Sequence, residues 1–294
     1  MLGEVLTAIV TPFREDGSVN LEAFRRLCSH LVENGSDGVV VAGTTGESPT
    51  LSDEEKLELF AAAVETVGDR ASVVAGTGTY STAHSVHLTE LAHEVGVDGF
   101  LVVTPYYNKP PVRGIVAHFR AIAEASDRPI IVYNIPQRVV LNLEPEALAE
   151  LAEIPSVKAV KQATTDLDQA RRIVEETDLL LYAGNDDLLL PFLEIGGTGG
   201  VLVYTHLVGP RVKELVTRFK GGDAEGARAI DKELRPLIEA LAVTTNPIPV
   251  KAALNMLGHD VGGFRLPLVE AGEAERATVR AALEGVGVPA PARA

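Results

Sequence analysis

Eight short apolar runs, separated by amphipathic segments, constrain the fold of this 294-residue chain more than any other feature. The runs are rich in Val, Ile and Leu without strict alternation, which is typical of parallel strands that are covered on both faces. The predicted strands are Leu6–Pro12, Gly38–Gly43, Ala71–Gly78, Gly99–Pro105, Pro129–Pro136, Val157–Ala163, Leu179–Asn185 and Gly199–Thr205. Eight alternating strands and helices in about 220 residues favour an α/β protein with a (β/α)8 (TIM) barrel over an open doubly wound sheet.

The chain beyond the last predicted strand has a different pattern. Segment 222–294 shows helical periodicity in three places and no strand pattern. We therefore expect a (β/α)8 catalytic barrel over residues 1–221 and a small C-terminal helical extension, residues 222–294, packed on it. Within the predicted barrel segment, Ser52 and Glu55 have the spacing of a capping box and predict the start of a helix.

Composition excludes several classes of protein. The chain has 26 Lys and Arg against 41 Asp and Glu, a formal net charge of −15, which argues against nucleic acid as a partner because phosphate binding needs a basic surface. No uncharged apolar stretch reaches the ~18 residues that span a bilayer, so no membrane segment is predicted. The only cysteine is Cys28, and the first residues lack a basic signal-like region. The expected location is the cytoplasm.

Lys161 is the most informative residue at a predicted strand end. Active sites of TIM barrels lie at the carboxyl ends of the strands. Alternation in strand six places Val157, Ala159 and Lys161 on one face, so Lys161 points into the barrel if small Ala159 does. Desolvation disfavours an ammonium there, and the neutral amine can attack a carbonyl to form a Schiff base. The alternative is a lysine that extends to the barrel mouth in a structural ion pair.

Tyrosines close two further predicted strands. Tyr133 has the parity of Ile131 and is expected to point inward beside the lysine, where a phenol can carry protons during imine formation. The alternative is a buried tyrosine with one hydrogen bond. Tyr106 and Tyr107 follow strand four, and adjacent residues cannot face the same way along a strand. One of them can therefore serve the site while the other serves an interface.

Two other strand ends favour the binding of anions. The turn GTTGES, residues 43–48, offers two hydroxyls and several backbone N–H groups for a carboxylate, but it lacks the lysine of a phosphate-binding loop. Arg138, after strand five, could hold a second carboxylate through a bidentate contact or could lie free on the surface. Gly184 closes strand seven at the same end. No spacing of Cys, His and carboxylates predicts a metal site.

Five motifs occur together and in order: GTTGES, TPYYNKP, YNIPQR, the strand-six Lys161, and TNPIPVKAAL. In this combination, from Val5 to Gly258, the chain resembles the dihydrodipicolinate synthase family of class I pyruvate aldolases, which is related to the N-acetylneuraminate lyases. The resemblance implies a TIM barrel that condenses pyruvate with L-aspartate 4-semialdehyde to 4-hydroxy-tetrahydrodipicolinate, the first committed step of lysine and diaminopimelate biosynthesis. It also implies a homotetramer, and a covalent imine in place of any cofactor or metal.

The resemblance also implies roles for catalytic residues. Lys161 would form the imine with pyruvate, and Tyr133 would donate and accept protons. Thr44 and Tyr107 would complete a proton relay with Tyr133, and Tyr107 would reach the site from a neighbouring subunit.

Substrate binding is implied at four other positions. Thr45 would hold the carboxylate of pyruvate, and Val201 would line that pocket through its backbone. Gly184 belongs to the same group of substrate-binding residues. Arg138 would receive the carboxylate of aspartate semialdehyde.

The chain departs from the family pattern at several positions. The family usually has Glu after its lysine, whereas Gln162 stands here, and Thr-Gly after its arginine, whereas this chain has Val139 and Val140. The alternatives to the synthase are a pyruvate-dependent lyase of a 2-keto-3-deoxy sugar acid and a pyruvate-binding homologue without turnover. Both Lys161 and Tyr133 are present, which argues against the last of these.

The resemblance further bears on feedback by lysine. Sensitive family members bind lysine in a cleft between subunits and tend to carry Asn where Tyr80 stands and Glu where His84 stands. Lys56 adds a positive charge to this region, and like charges repel. We therefore predict weak or absent inhibition by lysine.

Overall fold

A computed structural model describes residues 2–288. Eight parallel strands close into a barrel in sequence order, and β8 pairs with β1. The strands are β1 (Val5–Ala8), β2 (Gly38–Val41), β3 (Ser72–Gly76), β4 (Gly99–Val103), β5 (Ile130–Asn134), β6 (Val157–Gln162), β7 (Leu180–Ala183) and β8 (Gly199–Leu202). The predicted (β/α)8 barrel is confirmed.

Helices surround the barrel and continue beyond it. The α-helices of the described residues are α1 (Leu21–Glu33), α2 (Asp53–Val67), α3 (Thr82–Val95), α4 (Val112–Glu124), α5 (Pro136–Val139), α6 (Pro145–Ala152), α7 (Leu167–Glu176), α8 (Leu189–Glu194), α9 (Thr205–Lys220), α10 (Ala224–Leu241), α11 (Ile248–Met256) and α12 (Glu273–Gly285). The capping box is confirmed: the Ser52 hydroxyl accepts from the Glu55 N–H, and the Glu55 carboxylate accepts from the Ser52 N–H.

The observed strands end earlier than the predicted ones. β1 ends at Ala8 and not at Pro12, and β8 ends at Leu202 and not at Thr205. The residues that follow leave the ladder and form the loops of the barrel mouth. Hydrophobicity alone does not mark this boundary, because the first loop residues are also buried.

Strand six contains one departure from the predicted alternation. Val157 was expected to share the inward face with Ala159, but it packs in the outer core between strands and helices. The register with β5 shifts at this point, since Val157 pairs with Ile130 whereas Ala159 pairs with Ile131. The irregularity resets the parity of β6 after its first residue, so the prediction for Val157 was wrong and that for Ala159 correct.

Two apolar layers hold the barrel together. The larger layer lies between the strands and the helices, as parallel sheets require. The smaller one fills the barrel interior. Its buried members are Leu2, Leu6, Ala8, Val40, Val74, Leu101, Ile131, Tyr133, Ala159, Ala163, Tyr182 and Val201.

The C-terminal extension contains three helices, as the periodicity predicts. α10 packs against α9, and α12 packs against both α10 and α11. Residues 289–294 of the expected extension lie outside the described part of the chain. No helix within residues 2–288 is long and apolar enough to cross a bilayer.

Candidate active site

Lys161 and Tyr133 lie side by side at the carboxyl ends of β6 and β5. They are register partners in the sheet, and the Lys161 Nζ lies 4.2 Å from the centroid of the Tyr133 ring. Each side chain is only 5% exposed and borders the apolar barrel interior. Within residues 2–288, no carboxylate forms an ion pair with this amine. The inward orientation that alternation predicts is therefore observed for both residues.

The turn after β2 presents two hydroxyls to the same cleft. The Gly46 N–H donates to the Gly43 carbonyl at 3.1 Å, and the Glu47 N–H donates to the Thr44 carbonyl at 3.1 Å. Glu47 adopts a left-handed conformation with φ of 57°. The tight turn that results places Thr44 and Thr45 beside Tyr133.

A cleft of about 640 Å³ lies above these residues at the barrel mouth. A second cavity of about 210 Å³ adjoins it and shares Thr44, Tyr133, Ile135 and Arg138 with it. Six of the eight predicted site residues line the larger cleft, namely Thr44, Thr45, Tyr133, Arg138, Lys161 and Gly184.

Two of the predicted site residues do not line the cleft. The Tyr107 side chain is 94% exposed and its backbone has a φ of 68°, so it points away from its own barrel. Tyr106 lines the smaller cavity and packs edge to face on Tyr80, with ring centroids 5.3 Å apart. Val201 is fully buried in the barrel interior, and Val203 lines the cleft in its place.

Arg138 lies on the rim of the cleft, where α5 follows β5. It is exposed, and one of its terminal nitrogens donates to the Thr245 hydroxyl and to the Asn246 carbonyl, both at 3.4 Å. These contacts are long, and they leave other N–H groups of the guanidinium available to an anion.

Asn246 was missed by the sequence analysis as a site residue. Its Nδ2 donates to the Thr45 Oγ1 at 2.9 Å. This bond occupies an acceptor lone pair of the hydroxyl and leaves its hydrogen available to a ligand. The signal was present in the motif TNPIPVKAAL, but nothing in the sequence indicates which strand end that segment approaches.

A buried ion pair joins the extension to the turn after β2, and it too was missed. The Lys251 Nζ lies 3.0 Å from the Glu47 Oε1 and donates to the carbonyls of Thr11 and Gly263. Burial lowers the pKa of Lys251, while the charge of Glu47 opposes that shift. The extension is thus bonded directly to the turn that carries Thr44.

Asp186 lies at the end of predicted strand seven, and its sequence context indicated no role for it. It lies in the cleft wall, and its carboxylate accepts from the backbone N–H groups of Val203 and Tyr204 at 2.8 and 2.9 Å. Desolvation raises its pKa to about 6, against the opposing effect of these hydrogen bonds. It fixes the loop after β8 at the edge of the cleft.

The closed barrel, with a polar cleft at the carboxyl ends of its strands, is the arrangement of a TIM-barrel enzyme. The model of the dihydrodipicolinate synthetase family matches residues 1–286. The chain therefore belongs to this family.

Known relatives cover almost the whole chain. A 4-hydroxy-tetrahydrodipicolinate synthase of Moorella thermoacetica is 50% identical over 97% of this chain and 99% of its own length. The crystal structure of a synthase of this family from Cyanidioschyzon merolae with lysine bound has a TM-score of 0.96 and 44% identity, covering 98% of this chain and 99% of that one. The chloride-inhibited enzyme of Acinetobacter baumannii, complexed with pyruvate, has a TM-score of 0.95 and 33% identity, covering 98% and 100%.

Proposed function

We propose that this chain is a lyase that condenses pyruvate with L-aspartate 4-semialdehyde to give 4-hydroxy-tetrahydrodipicolinate in lysine and diaminopimelate biosynthesis. Its family and its 50% identical relative support this reaction. The structural observation that carries the mechanism is the Lys161 amine beside Tyr133 in an apolar barrel end, 4.2 Å from the ring centroid.

Lys161 acts as the nucleophile. Its neutral amine adds to the keto carbon of pyruvate and loses water to form an imine, and loss of a methyl proton converts the imine into an enamine. The enamine carbon then bonds to the aldehyde carbon of the second substrate. The amino group of that substrate attacks the imine carbon, which closes the ring and releases Lys161.

Tyr133 carries the protons of these steps. Its position beside the amine suits a group that protonates the departing hydroxyl and later returns the proton. Thr44 extends the relay in the same cleft, and Tyr107 completes it from a neighbouring subunit. The 94% exposure of Tyr107 supports this outward reach, and with it a homotetramer.

The two substrate carboxylates bind on different sides of the cleft. The Thr45 hydroxyl, oriented by Asn246, donates to the carboxylate of pyruvate, and Gly184 and Val203 line the same cleft. Arg138 binds the carboxylate of the aldehyde substrate, since its guanidinium lies on the rim where a second substrate enters.

The remaining expectations form part of the same proposal. The imine supplies the electron sink, so we expect neither a cofactor nor a metal ion to take part. The substrates are small molecules, nucleic acids and membranes are not expected as partners, and the enzyme works in the cytoplasm. Residues 1–221 form the catalytic barrel and residues 222–294 the extension.

Borohydride trapping tests the mechanism. With pyruvate present, reduction should add one covalent adduct to Lys161, detectable by intact mass and peptide mapping. Lys161→Ala should abolish the adduct. Lys158→Ala is the matched control, because Lys158 lies on the same strand but is exposed on its outer side. An adduct that persists in Lys161→Ala, or never forms in the parent, contradicts the proposal.

A panel of aldehydes tests the second substrate. Condensation of pyruvate with aspartate semialdehyde, and not with sugar aldehydes, is the expected result. Preferred turnover of a 2-keto-3-deoxy sugar acid would instead identify the alternative lyase with the same lysine chemistry.

A further inference from the structure

A closed ring of hydrogen bonds lies on the outer side of β5 and β6. We call it the amide ring; its members are Asn134, Asn142, Glu144, Gln162 and Gln169. Asn134 Nδ2 donates to the oxygens of Asn142 and Gln162 at 2.9 and 3.0 Å. Gln162 Nε2 donates to Gln169 Oε1 at 2.7 Å, and Gln169 Nε2 donates to Glu144 Oε2 at 3.3 Å. Asn142 Nδ2 closes the ring by donating to Glu144 Oε1 at 3.1 Å.

The backbone of Leu143 determines which amide atoms donate and which accept around the ring. The Leu143 N–H donates to the Asn134 Oδ1 at 3.1 Å, so the amide nitrogen of Asn134 must face Gln162. The Leu143 carbonyl accepts from the Gln169 Nε2 at 3.1 Å, so the amide oxygen of Gln169 must face Gln162. Gln162 therefore has to accept on one side and donate on the other, which an amide does and a carboxylate does not.

The amide ring lies directly behind the catalytic pair. Asn134 is the register partner of Gln162, as Tyr133 is of Lys161. Successive residues of a strand point to opposite faces, so a side-chain bond joins the same two strands one residue beyond the catalytic side chains. Asn134 and Gln162 are both 0% exposed. Gln169 is 5% exposed, whereas Asn142 and Glu144 at the outer edge of the ring are exposed. The three buried amides are bonded to one another in series, and a satisfied buried network of this kind specifies one arrangement of its strands.

The ring also holds the chain segment that follows Arg138. α5 carries Arg138 and ends at Val139, and residues 142–144 then bond to the ring. Val140 between them has a left-handed φ of 66°. Asn134 therefore fixes both ends of the segment that contains α5. Its backbone belongs to β5 before α5, and its side chain bonds to Asn142 and Leu143 after α5.

We propose that Gln162 and the amide ring are positioning elements, which set the distance between Tyr133 and Lys161 and the placement of Arg138. This inference rests on the proposed function for the roles of those three residues. The turn that carries Thr44 and Thr45 follows β2, and no hydrogen bond within residues 2–288 joins it to a side chain of the ring. Gly184 on the other side of the pyruvate pocket bonds to the backbone carbonyl of Gln162, which side-chain substitutions retain. Loss of the ring should therefore affect proton transfer and the aldehyde, but not the affinity for pyruvate.

Two ring variants and a control separate positioning from mere stability. Gln162→Met and Gln169→Met keep the side-chain length and remove the hydrogen bonds; Gln169 lies on α7, away from both catalytic strands. Leu27→Ala is the control: it truncates a buried residue of α1, a helix that packs against α2. All three should lower Tm by several degrees.

The kinetic constants should divide in a specific way. For both ring variants we expect kcat to fall about tenfold and the aldehyde KM to rise about fivefold, since small misplacements of reacting groups are costly. The pyruvate KM should stay within about twofold of the parent. Leu27→Ala should leave all three constants close to those of the parent at a temperature where it is folded.

The outcomes are distinguishable. Unchanged kcat in both ring variants, or an equal rise of both KM values, would show that the ring serves stability alone and would overturn this inference. The effect of Gln169→Met matters most, because that change removes no atom from β5 or β6. If the parent itself forms no borohydride adduct with pyruvate, the proposed function fails instead.

Discussion

Lys161 and Lys251 are both buried, but their amines have different surroundings. Lys251, 0% exposed, is held by the Glu47 carboxylate and by two backbone carbonyls. Its ammonium also lies 4.6 Å from the rings of Phe13 and Phe264. Every hydrogen of that group therefore has an acceptor, and the charge is compensated where it is buried.

Lys161 is buried almost as deeply, and its amine lies 4.2 Å from the centroid of the Tyr133 ring. It shares the cleft with Asp186, whose pKa the charge of Lys161 lowers against the larger effect of burial. No carboxylate within residues 2–288 forms an ion pair with Lys161. Glu47 and two backbone carbonyls hold the Lys251 amine in place, whereas the Lys161 amine lines the cleft, where a ligand can reach it. The contacts of each amine, and not the depth of its burial, distinguish the structural Lys251 from Lys161, for which we propose a catalytic role.

A matched pair of substitutions tests this contrast most strongly. Lys251→Met leaves the Glu47 carboxylate buried without a counter-charge, so the free energy of unfolding should fall by about 3–5 kcal/mol. Lys161→Met breaks no ion pair and removes only the longer-range attraction of its charge for Asp186, so the free energy of unfolding should stay within about 1 kcal/mol of that of the parent. Denaturant titration at fixed protein concentration measures both.

Adding Glu47→Gln to Lys251→Met should restore part of the lost free energy of unfolding, because the unpaired buried charge of Glu47 is removed. Equal destabilisation by the two single lysine variants would refute the contrast.

Arg138 lines the cleft together with Lys161 and, unlike Lys161 and Lys251, it is exposed. Arg138→Leu should raise the KM for the aldehyde by about 10- to 100-fold, as expected for the loss of a charge-assisted contact, with little change for pyruvate. Steady-state kinetics with each substrate varied in turn will show this. Equal losses for both substrates would mean that Arg138 supports the fold or the pyruvate pocket.

Tyr107 is exposed on its own subunit, in contrast to the two buried lysines. If its exposed phenol completes the relay of a neighbour, the active species is at least a dimer, and Tyr107→Phe should lower kcat about 10- to 100-fold without changing assembly. Sedimentation at assay concentration, alongside activity, measures both quantities. A fully active monomer would show that Tyr107 has no role across an interface.

The smallest expected effect is the response of the enzyme to added lysine, and it depends on the surroundings of Lys56. Lys56 is 5% exposed and shares the Asp53 carboxylate with His84, at 3.3 and 2.7 Å. Burial alone would raise the pKa of Asp53, but the His84 hydrogen bond and the charge of Lys56 lower it overall. The Asp53 carboxylate is thus already occupied by contacts with Lys56 and His84, and it offers little to the ammonium of a lysine ligand.

We therefore expect no half-inhibition at sub-millimolar lysine when lysine is titrated into the condensation assay. The double variant Tyr80→Asn/His84→Glu supplies the missing carboxylate and should increase the response. Strong inhibition of the parent would show that lysine binds there through other residues.

Much of the barrel, and the inward orientation of Lys161 and Tyr133, could be predicted because the signals are local. Period-2 alternation within five residues is enough to orient Tyr133 beside Ile131 and Lys161 beside Ala159. The same rule failed for Val157, because the register irregularity that reverses it depends on how β6 pairs with β5. Local sequence carries no trace of that pairing.

Contacts across long sequence distances account for most of what was missed. Glu47 and Lys251 are each unremarkable in their own segments, and only the fold shows that they meet. The amide ring was missed for the same reason: Asn134, Gln162 and Gln169 are ordinary polar residues until three elements bring them together.

The pairing of Glu47 with Lys251 also has a consequence for synthesis. The two residues are 204 positions apart, so at 5–20 residues per second the turn after β2 leaves the ribosome about 10–40 s before its counter-charge. Asn246, which orients Thr45, arrives equally late. The mouth of the barrel therefore matures last, and a nascent chain that already holds Lys161 and Tyr133 still lacks the contacts that shape the pocket for its first substrate.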